Sequence, residues 1–188
     1  MSLRVIAGKL RGYRLKTVPG KGTRPITDRV KENLFNIIGS DVDDSTWWDL
    51  FGGTGAIGIE ALSRGAKFVR YSEMAREAID VIQENLVHCK LDGDQTEIRR
   101  GDAFAFLERT PDFAFDYIYI APPQYKEMWL RALKLVDENP DWLSDESWVI
   151  VQIHPSEFRG HEETELKNLV KFDERKYGST LLVFYEIP

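Results

Sequence analysis

Cysteine and histidine are nearly absent from this chain. Cys89 is the only cysteine among 188 residues, so no intrachain disulfide can form. With three scattered histidines, His88, His154 and His161, there is neither a zinc-ligand spacing nor a nucleophile and base pair. No metal is expected, and Cys89 reads as a small buried apolar residue. Also missing is any apolar run approaching the roughly 18 residues that a membrane helix needs, so no membrane partner is expected. The opening residues, Met1-Ser-Leu-Arg-Val-Ile-Ala-Gly8, lack the apolar stretch of a secretory signal. A reducing cytoplasm is the expected location. With 43% hydrophobic and 30% charged residues, the composition is that of a globular protein folding in water.

The formal net charge of −6 argues against a polyanionic partner, but it hides an asymmetry. Residues 1–31 hold nine basic side chains against one acid, Asp28, whereas the other 157 residues hold 16 basic and 30 acidic ones. Screening confines charge effects to about 8–10 Å at ordinary salt. A basic arm on an acidic body can therefore still bind a polyanion locally. A solvated basic hairpin accounts for the same charges.

The length suits one domain with a small appendage. Leu3 to Ala7 and Tyr13 to Val18 read as two short strands around Gly8 and Gly12, a β-hairpin arm over residues 1–26. The remaining domain, 27–188, opens with a helix capped by Thr27 or Asp28, carrying Val30, Leu34, Ile37 and Ile38 at helical spacing up to Gly39. Beyond it, strand-like runs alternate with helical patterns, the signature of an α/β fold with a mostly parallel sheet. Strands are predicted at Trp47–Phe51, Phe68–Ser72, Glu97–Arg99, Tyr117–Ile120, Trp148–Ile153, Lys171–Arg175 and Leu181–Glu186. Helices are predicted at Ile57–Arg64, Arg76–Leu91, Ala103–Glu108 and Lys126–Asp137. The last two strands have only a Tyr177-Gly178 turn between them and should pair as an antiparallel hairpin.

The segment Asp49-Leu-Phe-Gly-Gly-Thr-Gly-Ala-Ile-Gly58 ends the first of these strands and opens a helix. Its Gly53-x-Gly55-x-x-Gly58 spacing suits a ligand that approaches the backbone closely, or a ligand-free tight turn. Asp49 discriminates among ligands. Its carboxylate would repel a pyrophosphate and attract the ammonium of the methionine part of S-adenosylmethionine. Glu73, 20 positions after Gly53, ends the second strand, where a carboxylate accepts ribose hydroxyls; a solvated acid opening the next helix is the other reading. Asp102 is placed either against an adenine edge or as the cap of the helix starting at Ala103.

Beyond the loop, a wider set of motifs resembles class I S-adenosylmethionine-dependent methyltransferases. More closely, it resembles the RsmD group, bacterial enzymes that methylate guanine N2 in 16S ribosomal RNA. The likeness runs through Arg4-Val-Ile-Ala-Gly8, Arg11-Gly12, Thr23-Arg-Pro-Ile-Thr-Asp-Arg-Val-Lys-Glu-Asn-Leu-Phe35 and the glycine loop. It continues through Gly58-Ile-Glu-Ala-Leu-Ser-Arg-Gly-Ala66, Glu73, Gly101-Asp102-Ala103 and Ala121-Pro-Pro123. The resemblance implies a Rossmann-like seven-stranded mixed sheet with a C-terminal antiparallel hairpin and an N-terminal hairpin extension. It implies S-adenosylmethionine held by Asp49, Phe51, Gly53, Thr54, Gly55, Gly58, Glu73, Asp102 and Ala103. The implied partner is ribosomal RNA or a small-subunit particle, met by a monomer; the concentration of basic side chains in the first 31 residues puts Arg11, Arg24 and Arg29 on its phosphates as an expectation.

In that family an Asp or Asn followed by Pro-Pro and an aromatic ends the fourth strand and orients the target amine. Here the sequence is Ala121-Pro122-Pro123-Gln124-Tyr125. Ala121 lacks the side-chain acceptor, and Gln124 shifts the aromatic one place on. The resemblance assigns catalysis to Ala121 as a position, to Pro122 and Pro123, and to Tyr125 as the stacking ring; where the sequence departs from the family, the backbone carbonyls of Ala121 or Pro122 are left to receive the amine, with Gln124 a second acceptor toward substrate. Pro-Pro also simply terminates a strand. Three competitors remain: an adenine-N6 methyltransferase, a catalytically silent protein that binds S-adenosylmethionine and RNA as an assembly factor, and a nicotinamide dehydrogenase, which Asp49 disfavours. Tyr13 and the tryptophans read mostly as core or rim packing.

Overall fold

The computed structural model describes residues 3–20, 26–91, 93–124, 126–159 and 165–188. It is an α/β protein whose seven strands make up a mixed sheet, as the sequence predicts. Its chain groups into two compact units, residues 1–102 and 103–188.

The first unit begins with the arm, where Val5 N–H donates to Tyr13 O at 2.9 Å, Gly12 N–H to Val5 O at 2.9 Å and Leu15 N–H to Leu3 O at 2.8 Å. The hairpin is thus real, but its regular pairing shrinks to one antiparallel bridge, Arg4 to Arg14. Helix α1, Asp28–Ile38, starts where Thr27 accepts the Val30 N–H and stops at Gly39, with φ of 68°. Asp28, the alternative cap, turns to the Arg4 guanidinium at 2.8 Å instead. Val30, Leu34 and Ile38 recur every fourth position and bury one face.

Strands β1 (Thr46–Asp49), β2 (Phe68–Glu73) and β3 (Thr96–Arg100) are parallel in the order β3-β2-β1. They are joined by α2 (Ala56–Ser63) and α3 (Arg76–His88). Helix α2 is buried along its whole length, so it needs no polar face. Trp47 and Trp48 are core residues that satisfy their indole N–H on Ser45 and Ser72, each at 2.8 Å. Cys89 is buried and unbonded as expected, and burial pushes its thiol pKa up.

In the second unit, α4 (Ala103–Leu107) precedes β4 (Phe115–Ile120), α5 (Met128–Glu138), β5 (Leu143–Ile153), the short α6 (Pro155–Phe158), β6 (Val170–Tyr177) and β7 (Thr180–Glu186). Strand β4 runs parallel to β5, β7 is antiparallel to β5, and β6 closes the predicted hairpin on β7. Trp129 and Trp142 are fully buried here. Asp137 accepts the backbone N–H of Lys167, Asn168 and Leu169, each at 2.8 Å, and fixes the approach to β6. Helix α6 was not expected, because its four residues are too few to show a helical period.

Candidate functional site

In the first unit, the register pairs Asp49 with Tyr71 and Glu73 with Arg100, so all three parallel strands end together. The carboxyl ends of parallel strands are where α/β sheets bind ligands. There the chain turns through Gly52, Gly53 and Gly55. Gly52 N–H bonds Ser72 O at 2.8 Å and Gly55 N–H bonds Gly52 O at 2.7 Å. Gly53 and Gly55 adopt φ of 54° and 78°, open to glycine without strain. Thr54 lies between them, its hydroxyl accepting the Ala56 N–H at 3.3 Å, and Phe51 is half-buried in the turn.

Asp49 is 3% exposed, and its Oδ1 has no hydrogen-bond partner. Burial, then the charge of Glu73, raises its pKa well above the ordinary 3.8, and a hydrogen bond from the Phe51 backbone offsets only part of this. A buried carboxylate with an orphan oxygen is costly unless something pairs with it. A ligand ammonium would do so; a diphosphate would make it worse. The residues therefore fit the methionine end of S-adenosylmethionine and not a dinucleotide.

Glu73 does more for the protein than the sequence suggests. Its Oε2 accepts the Gly53 N–H at 3.0 Å, and its Oε1 accepts Met74 and Ala75 N–H at 2.8 and 2.9 Å. It ties the glycine turn to the end of β2. A carboxylate offers about four lone-pair sites, so one remains for a ribose hydroxyl. Gly58 has a packing role: a Cβ there would stand 2.5 Å from the Tyr71 hydroxyl and from a Val69 methyl. It brings α2 against β2, as the third glycine of such spacings does. Asp102 is exposed at the end of this unit.

The arm is fastened to α2 by residues that no sequence motif singles out. Glu60, fully buried, accepts the backbone N–H of Ile6 and Ala7 at 2.8 and 3.0 Å, the Arg64 Nε at 2.8 Å and the Lys31 ammonium at 3.3 Å. Lys31 also donates to the Arg4 carbonyl. Ser63 accepts the Leu10 N–H at 2.9 Å and donates to Ala7 O at 2.6 Å. Arg11 is exposed and lines a cleft of about 410 Å³ with Arg4, Asp28, Glu32, Asn36 and Arg64. Arg29 is exposed on α1, and Arg24 lies outside the described residues.

In the second unit, Ala121, Pro122 and Pro123 directly follow β4, which ends at Ile120. Ala121 and Pro122 are half-buried, Pro123 is exposed and Gln124 is half-buried. Tyr125 lies outside the described residues. Ala103 is the buried first residue of α4. Among the described residues no cluster of His, Cys, Asp or Glu could hold a metal ion, and no helix is long and apolar enough to cross a membrane.

This architecture is that of the class I methyltransferases. A structure described as "Putative methyltransferase yhhF" from Escherichia coli matches with a TM-score of 0.84 and 28% identity, over 100% of this chain and 98% of its own. The chain belongs to the family described as Conserved hypothetical protein 95, the RsmD family, whose profile matches residues 3–186. The Bacillus subtilis protein named "Putative rRNA methyltransferase YlbH" is 34% identical over 98% of each chain. The Escherichia coli protein named "Ribosomal RNA small subunit methyltransferase D" is 33% identical over 80% of this chain and 74% of its own.

Proposed function

We propose that this protein is an S-adenosylmethionine-dependent methyltransferase that modifies the exocyclic N2 amine of a guanine in 16S ribosomal RNA. The observation that carries the reading is Asp49: a buried carboxylate, with one oxygen unsatisfied, at the head of a glycine turn. Membership of a family whose relatives are named for ribosomal RNA methylation supports the RNA substrate.

Asp49 would hold the methionine ammonium, the Gly53 to Gly55 backbone would admit the ligand, and Glu73 would take a ribose hydroxyl. When bound, S-adenosylmethionine supplies an electrophilic methyl group. The protein's task is then to orient a weakly nucleophilic amine, whose lone pair is delocalised into the guanine ring. Proximity and alignment suffice for a direct in-line displacement, and no covalent enzyme intermediate is needed. With alanine at position 121, the amine's hydrogens must go to the backbone carbonyls of Ala121 or Pro122, with Gln124 as the second acceptor and Tyr125 stacking on the base. Arg11, Arg24 and Arg29 would hold RNA phosphates, which position the substrate without reading its sequence.

Ala121 favours one alternative, a protein that binds both ligands and transfers nothing. Incubating the protein with labelled S-adenosylmethionine and unmodified small ribosomal subunits, then mapping the label, tests both. Label on guanine N2 is the expected result. Label on adenine N6 would overturn the base assignment, and binding without transfer would establish the silent protein.

A further inference from the structure

Asn85, on α3, is 1% exposed, and its amide joins two segments far apart in sequence. Its Oδ1 accepts the Lys16 N–H at 2.8 Å. Its Nδ2 donates to the Lys16 carbonyl at 3.1 Å and to the Thr54 carbonyl at 2.9 Å. Both amide N–H groups are thereby used, and the arm's second limb is paired as a neighbouring strand would pair it.

The third bond falls on a peptide group with unusual freedom. The Thr54 carbonyl belongs to the peptide between Thr54 and Gly55, and glycines with positive φ lie on both sides of Thr54. Rotation of this peptide turns ψ of Thr54 together with φ of Gly55, and the second of these glycine allows at little steric cost. It is held by two bonds: Gly55 N–H to Gly52 O at 2.7 Å on one side and Asn85 on the other. The same asparagine grips Lys16, one of the nine cations of the first 31 residues, whose side chain is exposed.

We infer that Asn85 is a positioning residue that couples the RNA-facing arm to the cofactor turn, so that RNA on the arm and cofactor in the turn strengthen each other's binding. The inference rests on the reading above for the identity of the two ligands. With the arm docked, Lys16 holds the Asn85 amide, and the amide holds the Thr54–Gly55 peptide in the conformation that admits the ligand. If the arm shifts, the amide loses two of its three bonds and the turn loses its restraint. Linkage makes the effect reciprocal.

The test is equilibrium dialysis of labelled S-adenosylhomocysteine, which cannot react, with and without unmodified small ribosomal subunits. It compares the parent, Asn85→Asp and the milder Asn85→Ser. Asn85→Asp keeps the acceptor for Lys16 N–H but faces two carbonyls with an oxygen. In the parent, the subunits should tighten S-adenosylhomocysteine by a factor within the usual allosteric range of about 5 to 150. In a folded variant that ratio should fall to about one, and hydrogen exchange at the Gly55 amide should quicken. A variant that keeps the parent's ratio overturns the role of Asn85, and a parent ratio of one overturns the coupling itself. A parent that binds neither ligand refutes the proposed function; Gly55 exchange then still reports on the restraint, which an unchanged rate in the variants would refute. Should neither variant fold, Gly55 exchange in the parent must slow when subunits are added, and an unchanged rate refutes the inference.

Discussion

Replacing Asp49 by asparagine should push cofactor affinity and protein stability in opposite directions. The side chain keeps its shape, loses the capacity to ionise and carries an amide NH2 in place of one carboxylate oxygen. In the ligand-free protein Asp49 ionises less readily than in the unfolded chain, because burial and the charge of Glu73 raise its pKa. Its contribution to stability is therefore complete below the unfolded value of about 3.8 and is lost as pH rises toward the folded value. Asparagine carries no such loss, so at neutral pH the free variant should melt above the parent, and the difference should vanish in acid. Cofactor binding follows the reverse sign, since a ligand ammonium needs the ionised carboxylate and binding must expel its proton. Parent affinity for S-adenosylhomocysteine should rise with pH, by up to about tenfold per unit, until Asp49 is ionised in the free protein. It should fall again at alkaline pH, once the ligand's own α-ammonium group loses its proton. A charge-assisted hydrogen bond is worth about 1.5–3 kcal/mol, so Asp49→Asn should weaken binding about 10- to 150-fold and flatten the rising limb. Calorimetry at several pH values and a thermal melt of each free protein make the comparison. A variant that binds within twofold of the parent, with the same pH dependence, would refute the assignment of Asp49 to the ligand's ammonium.

Gly8→Ala should dislodge the arm, because its Cβ would stand 1.9 Å from the Ser63 carbonyl oxygen at a φ of 82°. Overpacking of this kind costs about 1–3 kcal/mol; unchanged stability and unchanged protease resistance of the arm would show that it docks elsewhere. Neutralising Arg11, Arg24 and Arg29 together should spare S-adenosylhomocysteine affinity and weaken subunit binding. The log–log salt slope should flatten by about 0.7 per lost contact, hence roughly two units, and an unchanged slope would make the arm purely structural. Tyr125→Ala should slow turnover while leaving S-adenosylhomocysteine affinity intact, since stacking on a base is worth about 1–3 kcal/mol. A normal rate would assign the base to another residue.

The fold was legible because its elements follow simple periods. Val30, Leu34 and Ile38 mark one face of α1, and a continuous apolar run such as Tyr117 to Ile120 marks a buried parallel strand. Strand ends were less legible. The apolar run predicts β5 only from Trp148, whereas pairing starts at Leu143 and passes through an irregularity opposite Phe115 and Tyr117. Residues 143–147 alternate too weakly to announce a strand: Leu143 and Ser147 are buried, but Asp145 and Glu146 are exposed. The arm's hairpin is legible but its regularity is not: the limbs keep three bonds to each other while Ile6 and Ala7 turn their N–H groups to Glu60 on α2, and a strand signal cannot say which partner the backbone will choose.

What stayed hidden were polar residues with buried work. Asp49 and Glu73 stand out in the sequence because each is a carboxylate closing an apolar strand, although the three backbone N–H groups that Glu73 accepts leave no trace there. Glu60, Lys31 and Asn85 each stand in an otherwise ordinary helical pattern, where a charged or amide residue reads as the solvated face. Yet Lys31 and Glu60 are fully buried. Burial lowers the Lys31 pKa even with Glu60 beside it, so the charged ammonium is costly where it lies. A hydrophobic replacement of such a pair is often neutral or stabilising, while removing one partner costs about 3–5 kcal/mol. Stability alone is thus a weak reason for the pair. Its geometry supplies another: Glu60 takes the N–H groups of Ile6 and Ala7, and Lys31 takes the carbonyl of Arg4. Leucine and methionine could fill that space, but neither could fix the path of residues 4–7. The buried charges specify where the arm lies, and from Lys16 the Asn85 amide links the arm to the Thr54 carbonyl of the glycine turn.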